Sequence, residues 1–201
     1  GASVVEGRTL QPIKDIQESI DARWPGERVV AEALEHISAL VRQEVPQERR
    51  CSFFCEAHHI DDEVRRIVSE LDCDMLFSAG KYFDVLPKGV NKGSTVMRLL
   101  EHLDVDLDDV LVAGDTLNDL SMFRLGLQGV CVGESERELL DVTREEPKVF
   151  HAGASGAGGI IEAISHFGLL PAEDLADYLE DSSDVPQEGA DLVIVYQRVP
   201  F

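Results

Sequence analysis

The chain has 201 residues, 44% of them apolar, enough to bury a sizeable core as one or two domains and too apolar for a disordered or fibrous protein. Lys and Arg total 18 against 39 Asp and Glu, and the formal charge of −21 repels nucleic acid and anionic membranes on approach. No stretch approaches the roughly 18 uninterrupted apolar residues that span a bilayer, and no basic region precedes an apolar run at the N-terminus, so the chain reads as soluble and cytoplasmic, with neither nucleic acid nor membrane as partner.

Ser3-Val4-Val5, Glu6-Gly7 and Thr9-Leu10 read as a short hairpin with a Gly-assisted turn. Helical spacing of apolar residues follows over Ile13 to Trp24 and Arg28 to Val45, where Val30, Ala33, Leu34, Ile37, Leu40 and Val41 form one stripe. Pro25-Gly26 separates the two. Cys51 to Cys55 is a short apolar run, and Asp61 caps an amphipathic helix to Leu71. Met75 to Ser78 and Tyr82 to Leu86 read as paired strands around Ala79-Gly80-Lys81. Cys51, Cys55, Cys73 and Cys131 read as buried thiols, since Cys55, His58, His59 and Cys73 match no standard zinc spacing.

From Lys92 the rhythm becomes helix, strand, helix, strand. Val96, Leu99, Leu100 and Leu103 form a helical stripe, and Val110 to Ala113 is a buried strand. A helix through Leu120, Met122 and Phe123 follows, then strands Val130 to Val132 and around Val149 and Phe150, then a helix from Gly158 to Phe167. This alternation predicts a doubly wound parallel α/β sheet beside the preceding α+β unit. Beyond Leu170 the chain turns polar and acidic, until Asp191 to Tyr196 reads as a new strand.

Ligands of open α/β sheets sit beyond the carboxyl ends of strands, where Gly114-Asp115-Thr116-Leu117-Asn118-Asp119 is placed. Gly114 permits a tight turn, Asp115 offers a hard oxygen to Mg²⁺, and Asn118 and Asp119 open a helix whose N–H groups favour an anion. The same residue types also serve plain strand-to-helix turns. Lys92 stands at a helix N-terminus, unfavourable for the helix dipole, which points to phosphate; the bland alternative is a solvated lysine. Gly153 to Gly159 could cradle phosphate or form a flexible turn into the last helix.

Lys88-Gly89-Val90-Asn91-Lys92-Gly93, a helix, an apolar strand and the Gly114 to Asp119 segment together resemble the third and fourth motifs of haloacid-dehalogenase-type phosphatases, with the sucrose-phosphatase-like sugar phosphatases the nearest group. The resemblance implies a core hairpin over residues 1–10, an α+β substrate-selecting cap over 11–86, and the C-terminal half of the core over 87–168. It also implies that Lys92 holds the transferring phosphoryl group, Asp115 binds Mg²⁺, Asn118 contacts phosphate and Asp119 holds the metal shell or Lys92, with Ser78 and Lys81 of the cap reaching toward the sugar.

That family's nucleophile lies in a D-x-D motif after the first buried strand. Asp72-Cys73-Asp74 and Asp104-Val105-Asp106 have the spacing but precede strands, so the expectation is a fragment without its nucleophile. Residues 169–190 then read as an acidic linker. Residues 191–201 (D-L-V-I-V-Y-Q-R-V-P-F) resemble the first strand of a fused retaining glycosyltransferase of the trehalose-phosphate-synthase type, the glucosylglycerol-phosphate synthases in particular. The resemblance implies an Mg²⁺-dependent hydrolysis of a small sugar phosphate, glucosylglycerol phosphate favoured, with sucrose- or mannosylglycerate-type phosphatase and a non-catalytic module as alternatives.

Overall fold

The computed structural model describes residues 2–44 and 48–170 and the backbone of 193–195. The chain divides after His102 into two compact units. In the first, helices α1 (Lys14–Asp21) and α2 (Glu27–Leu34) precede strands β1 (Val41–Arg42) and β2 (Cys51–Phe54). Helix α3 (Asp62–Glu70), strands β3 (Cys73–Ser78) and β4 (Tyr82–Pro87) and helix α4 (Lys92–Leu103) follow. The strands form one antiparallel sheet in the order β1-β2-β4-β3.

One face of this sheet is core. Phe53 and Phe83 pair across the strands and, with Cys51, Cys73 and Val85, pack against Val30 and Leu34 of α2 and Val64, Ile67 and Val68 of α3. Asp61 caps α3 as the sequence predicts, its carboxylate accepting from the Val64 N–H at 3.0 Å. The β3–β4 hairpin turns through Ala79 and Gly80, both at positive φ (50° and 64°).

Two expectations are corrected here. The stripe from Arg28 to Val45 is not one helix. Its helix ends at Leu34, and Ile37 and Leu40 keep their inward direction through single i→i+3 turns, the Ile37 N–H bonding Leu34 O and the Leu40 N–H bonding Ile37 O at 3.0 Å each. Val41 then pairs with Phe54, so a sheet edge claims the residues that spacing gave to a helix. The opening hairpin is reduced to a single bridge between Val5 and Pro12, because Pro12 has no N–H with which to extend a ladder.

In the second unit β5 (Val110–Gly114) leads through a 3-10 turn (Leu117–Asp119) into the short helix α5 (Leu120–Phe123). Strand β6 (Gln128–Gly133), helix α6 (Arg137–Thr143), strand β7 (Val149–Ser155), helix α7 (Ala157–Phe167) and strand β8 (Val193–Val195) follow. All four strands are parallel, in the order β7-β6-β5-β8. This is the parallel α/β sheet that the alternation predicts, in a unit distinct from the α+β one. Val110 through Ala113 are fully buried, each large side chain contributing about 1.5–3 kcal/mol relative to exposure, which fixes β5 in the sheet centre.

Close approach of α7 to the sheet depends on glycine. A Cβ on Gly159 would lie 2.5 Å from the Ala154 carbonyl oxygen and 3.1 Å from Val132, and one on Gly133 would lie 2.5 Å from Gly153 O. Helix α6, which the sequence reading passes over, has one fully buried large apolar residue, Leu139. The residues read as an acidic linker, 169–190, fall outside the described residues from 171 onward. Of the terminal strand, Val193–Val195 lies parallel to β5 on the side opposite β6.

Candidate active site

Gly114 ends β5, and the chain must turn there at once: a Cβ at this position would lie 2.4 Å from Cβ of Asp119. That closeness folds the loop onto Asp119, which is fully buried. Its Oδ2 accepts from the backbone N–H of Asp115 at 2.9 Å and of Thr116 at 3.2 Å. The third consecutive amide, Leu117 N–H, donates to the Glu136 carboxylate at 2.7 Å, while the Glu136 N–H donates to the Asp115 carbonyl at 2.8 Å.

The amides of Asp115, Thr116 and Leu117 are thus taken up by the chain's own carboxylates. What the loop presents is Asp115, half-buried at the carboxyl end of a central parallel strand, with Asn118 half-buried three residues on. Asp119 and, from beyond β6, Glu136 use their carboxylates on backbone amides of this loop, and Asp115 is its candidate cation ligand.

Magnesium takes six oxygens, keeps several waters, and is bound by one or two carboxylates together with substrate phosphate rather than by an all-protein cage. The loop fits that requirement in part: Asp115 supplies a hard oxygen, and Asp119 holds the backbone that carries it. Among the described residues no group of three or more His, Cys, Asp or Glu is placed so that it could hold a metal ion.

The other expected site residues lie in the first unit. Lys92 is the first residue of α4, whose start is held by a reciprocal pair: Asn91 Oδ1 accepts from Ser94 N–H at 2.9 Å and Ser94 Oγ from Asn91 N–H at 3.0 Å. This cap satisfies amides at a terminus where a lysine is electrostatically unfavourable. Ser78 and Lys81 flank the β3–β4 turn; Ser78 is buried, and the exposed Lys81 Nζ stands 4.9 Å from the Tyr82 ring centroid. Phe54, Tyr82 and Ser78 share one cross-strand row, the two rings 5.7 Å apart, and two rows on Ser52 Oγ donates to Asp84.

Neither D-x-D look-alike ends a strand. Asp74 lies within β3, accepting from Lys88 Nζ and Gly89 N–H at 2.8 Å each, and Asp106 caps the 3-10 turn before β5 by accepting from Asp108 N–H at 3.0 Å. The glycine-rich run is neither cradle nor flexible turn throughout: Gly153 to Ser155 end β7, Gly156 turns at positive φ, Ala157 opens α7, and the N–H groups of Gly153 and Ala154 donate to Glu162 at 2.7 and 3.0 Å. Sequence reasoning missed Glu136. The available signal was its position just beyond the carboxyl end of β6, the strand adjacent to β5.

A family model described as sucrose-6F-phosphate phosphohydrolase matches residues 1–168. The chain is 50% identical over 203 residues to a glucosylglycerol-phosphate synthase of Pseudomonas anguilliseptica, a match covering 100% of the chain but 26% of that protein. It is 30% identical over 151 residues to a mannosylfructose-phosphate phosphatase of Agrobacterium fabrum, covering 72% of the chain and 61% of the relative. The chain therefore spans only part of the length of these curated relatives. The crystal structure of a sucrose-phosphatase from Synechocystis, solved with sucrose and phosphate, shares the fold, with a TM-score of 0.73 at 24% identity over 85% of this chain and 72% of that one.

Proposed function

Because the chain belongs to the sucrose-6F-phosphate phosphohydrolase family, we propose that it is the sugar-phosphate-hydrolysing region of a longer cytoplasmic protein that also carries a glycosyltransferase domain, and that its substrate is glucosylglycerol phosphate. The observation that carries this reading is the 50% identity, along the whole chain, to a glucosylglycerol-phosphate synthase, for a sequence whose own family is one of phosphatases. A phosphatase joined to a synthase removes the phosphate from the synthase's product and makes an osmolyte.

In this reading Asp115 would hold Mg²⁺, which when bound supplies positive charge to the phosphoryl oxygens. Asp119 fixes the Asp115 and Thr116 amides and so holds the loop in register. Lys92 balances negative charge on the phosphoryl group, and Asn118 donates to a phosphate oxygen. Ser78 and Lys81 bind the sugar hydroxyls. The nucleophilic carboxylate comes from residues outside these 201. Its oxygen attacks phosphorus, the bond to the sugar oxygen breaks and that oxygen takes a proton; water then cleaves the aspartyl-phosphate and releases inorganic phosphate.

The test compares kcat/KM of the full-length protein, with Mg²⁺, for glucosylglycerol phosphate, sucrose phosphate and mannosyl-phosphoglycerate. A preference of about tenfold or more for the first is expected, since a site that bonds particular hydroxyls discriminates by at least that much. Preference for either of the others overturns the substrate; no release from any identifies a non-catalytic module. The 201-residue chain alone should give background release in the same assay, because the covalent step lacks its nucleophile.

A further inference from the structure

We propose that Glu136 is a positioning residue of the phosphatase site, one that aims the Asp115 carboxylate by clamping the loop that bears it; the proposal rests on the phosphatase reading above. Glu136 reaches the loop at two points. Its carboxylate accepts from Leu117 N–H at 2.7 Å, and its own N–H donates to the Asp115 carbonyl at 2.8 Å. Asp119 takes the two intervening amides from within the same turn. The planes on both sides of Asp115 are thus held by Asp119 and the Glu136 N–H, and the Glu136 carboxylate acts one peptide further on, holding Leu117 at the start of the turn that returns Asp119 to those planes.

The direction of a side chain follows from its backbone, so fixing those two planes fixes where the Asp115 carboxylate points. The clamp also couples adjacent strands: Asp115 follows β5, and Glu136 lies just beyond the end of β6, whose Cys131 is in register with Gly114. A carboxylate placed to bind a hydrated cation gains from such preorganisation, and outer-shell groups of this kind typically alter metal affinity about 10–100-fold when removed.

Glu136→Ala removes the carboxylate and keeps the N–H bond to Asp115. In the full-length protein this variant should bind Mg²⁺ alone about 10–100-fold more weakly by calorimetry. Hydrogen exchange should quicken in the peptide carrying Leu117, while peptides of β6 and α7 stay unchanged. The kcat for a sugar phosphate at fixed Mg²⁺ should fall, with KM for the sugar little altered. Glu136→Gln keeps an acceptor for Leu117 N–H and should restore the exchange protection and most of the Mg²⁺ affinity.

Unchanged exchange and unchanged Mg²⁺ binding in Glu136→Ala would overturn the proposal. So would a Glu136→Gln variant in which Leu117 stays protected while Mg²⁺ affinity falls as far as in the alanine variant, since charge rather than positioning would then be responsible. If Glu136→Ala does not fold, the glutamine variant decides by the same two readouts. The exchange and calorimetry arms need no turnover, so failure of the phosphatase reading, seen as no phosphate release by the wild type, is distinguishable from failure of the clamp.

Discussion

Asp115, Asp119 and Glu136 sit within one loop system yet carry different tasks, and the difference follows from what each carboxylate touches. Asp119 is fully buried and bonded to two amides, Glu136 is bonded to a third, and Asp115 stands half-buried at the strand end. Substituting Asp115 by Asn exchanges a charged oxygen for a neutral one without altering the side-chain volume. In the full-length protein we expect about a 10²–10³-fold loss of kcat at saturating Mg²⁺, the range seen when one transition-state charge contact is removed. Lys92→Ala should lose a similar factor, and the Asn91–Ser94 cap, which does not involve the lysine side chain, should keep α4 folded. Steady-state kinetics with unchanged circular dichroism is the check, and near-normal rates in both variants would remove these residues from the site.

At the scale of elements, the parallel sheet is a scaffold that helix α7 approaches on glycine. Gly159 has no positive φ to explain it; it is there because α7 lies against Val132 and the Ala154 carbonyl. Gly159→Ala would drive a methyl to 2.5 Å from that backbone oxygen, which cannot rotate away as a side-chain end would. We expect it to destabilise the protein by about 1–3 kcal/mol, the usual range for overpacking. A lowered denaturant midpoint at constant slope would record this. Strand β7 is longer than its apolar start suggests, because its later residues, Ala152 through Ser155, lack the large β-branched side chains that announce a strand.

For the whole molecule, burial leaves a measurable trace in the thiols. Cys51, Cys73 and Cys131 are buried in the described structure, and removal from water pushes each up to about 11 from an ordinary value of 9.0. Their contribution to stability is therefore complete below pH 9 and is lost as pH rises toward 11, because the unfolded chain releases protons that the folded chain keeps. The slope should be about 1 kcal/mol per thiol for each pH unit in that window. Urea midpoints at pH 8 and pH 10 should separate, and Cys131→Ala should narrow the gap. A gap unaffected by that substitution would assign the alkaline loss to other groups.

Local rules of spacing and stereochemistry determined a good part of this. The alternation after Lys92, the Asp61 cap, the β3–β4 hairpin and the Gly114 to Asp119 turn beyond a buried strand all follow from residues close together in the chain, whose preferences need no distant partner. Tertiary structure alone decided the rest. Val41 left its helical stripe because Phe54 offered a strand edge, and Leu117 N–H found the Glu136 carboxylate because β6 delivers it beside the turn. Those outcomes depend on residues that meet only when the sheet forms, and pairing energy between distant segments leaves no periodicity for a local reading to detect.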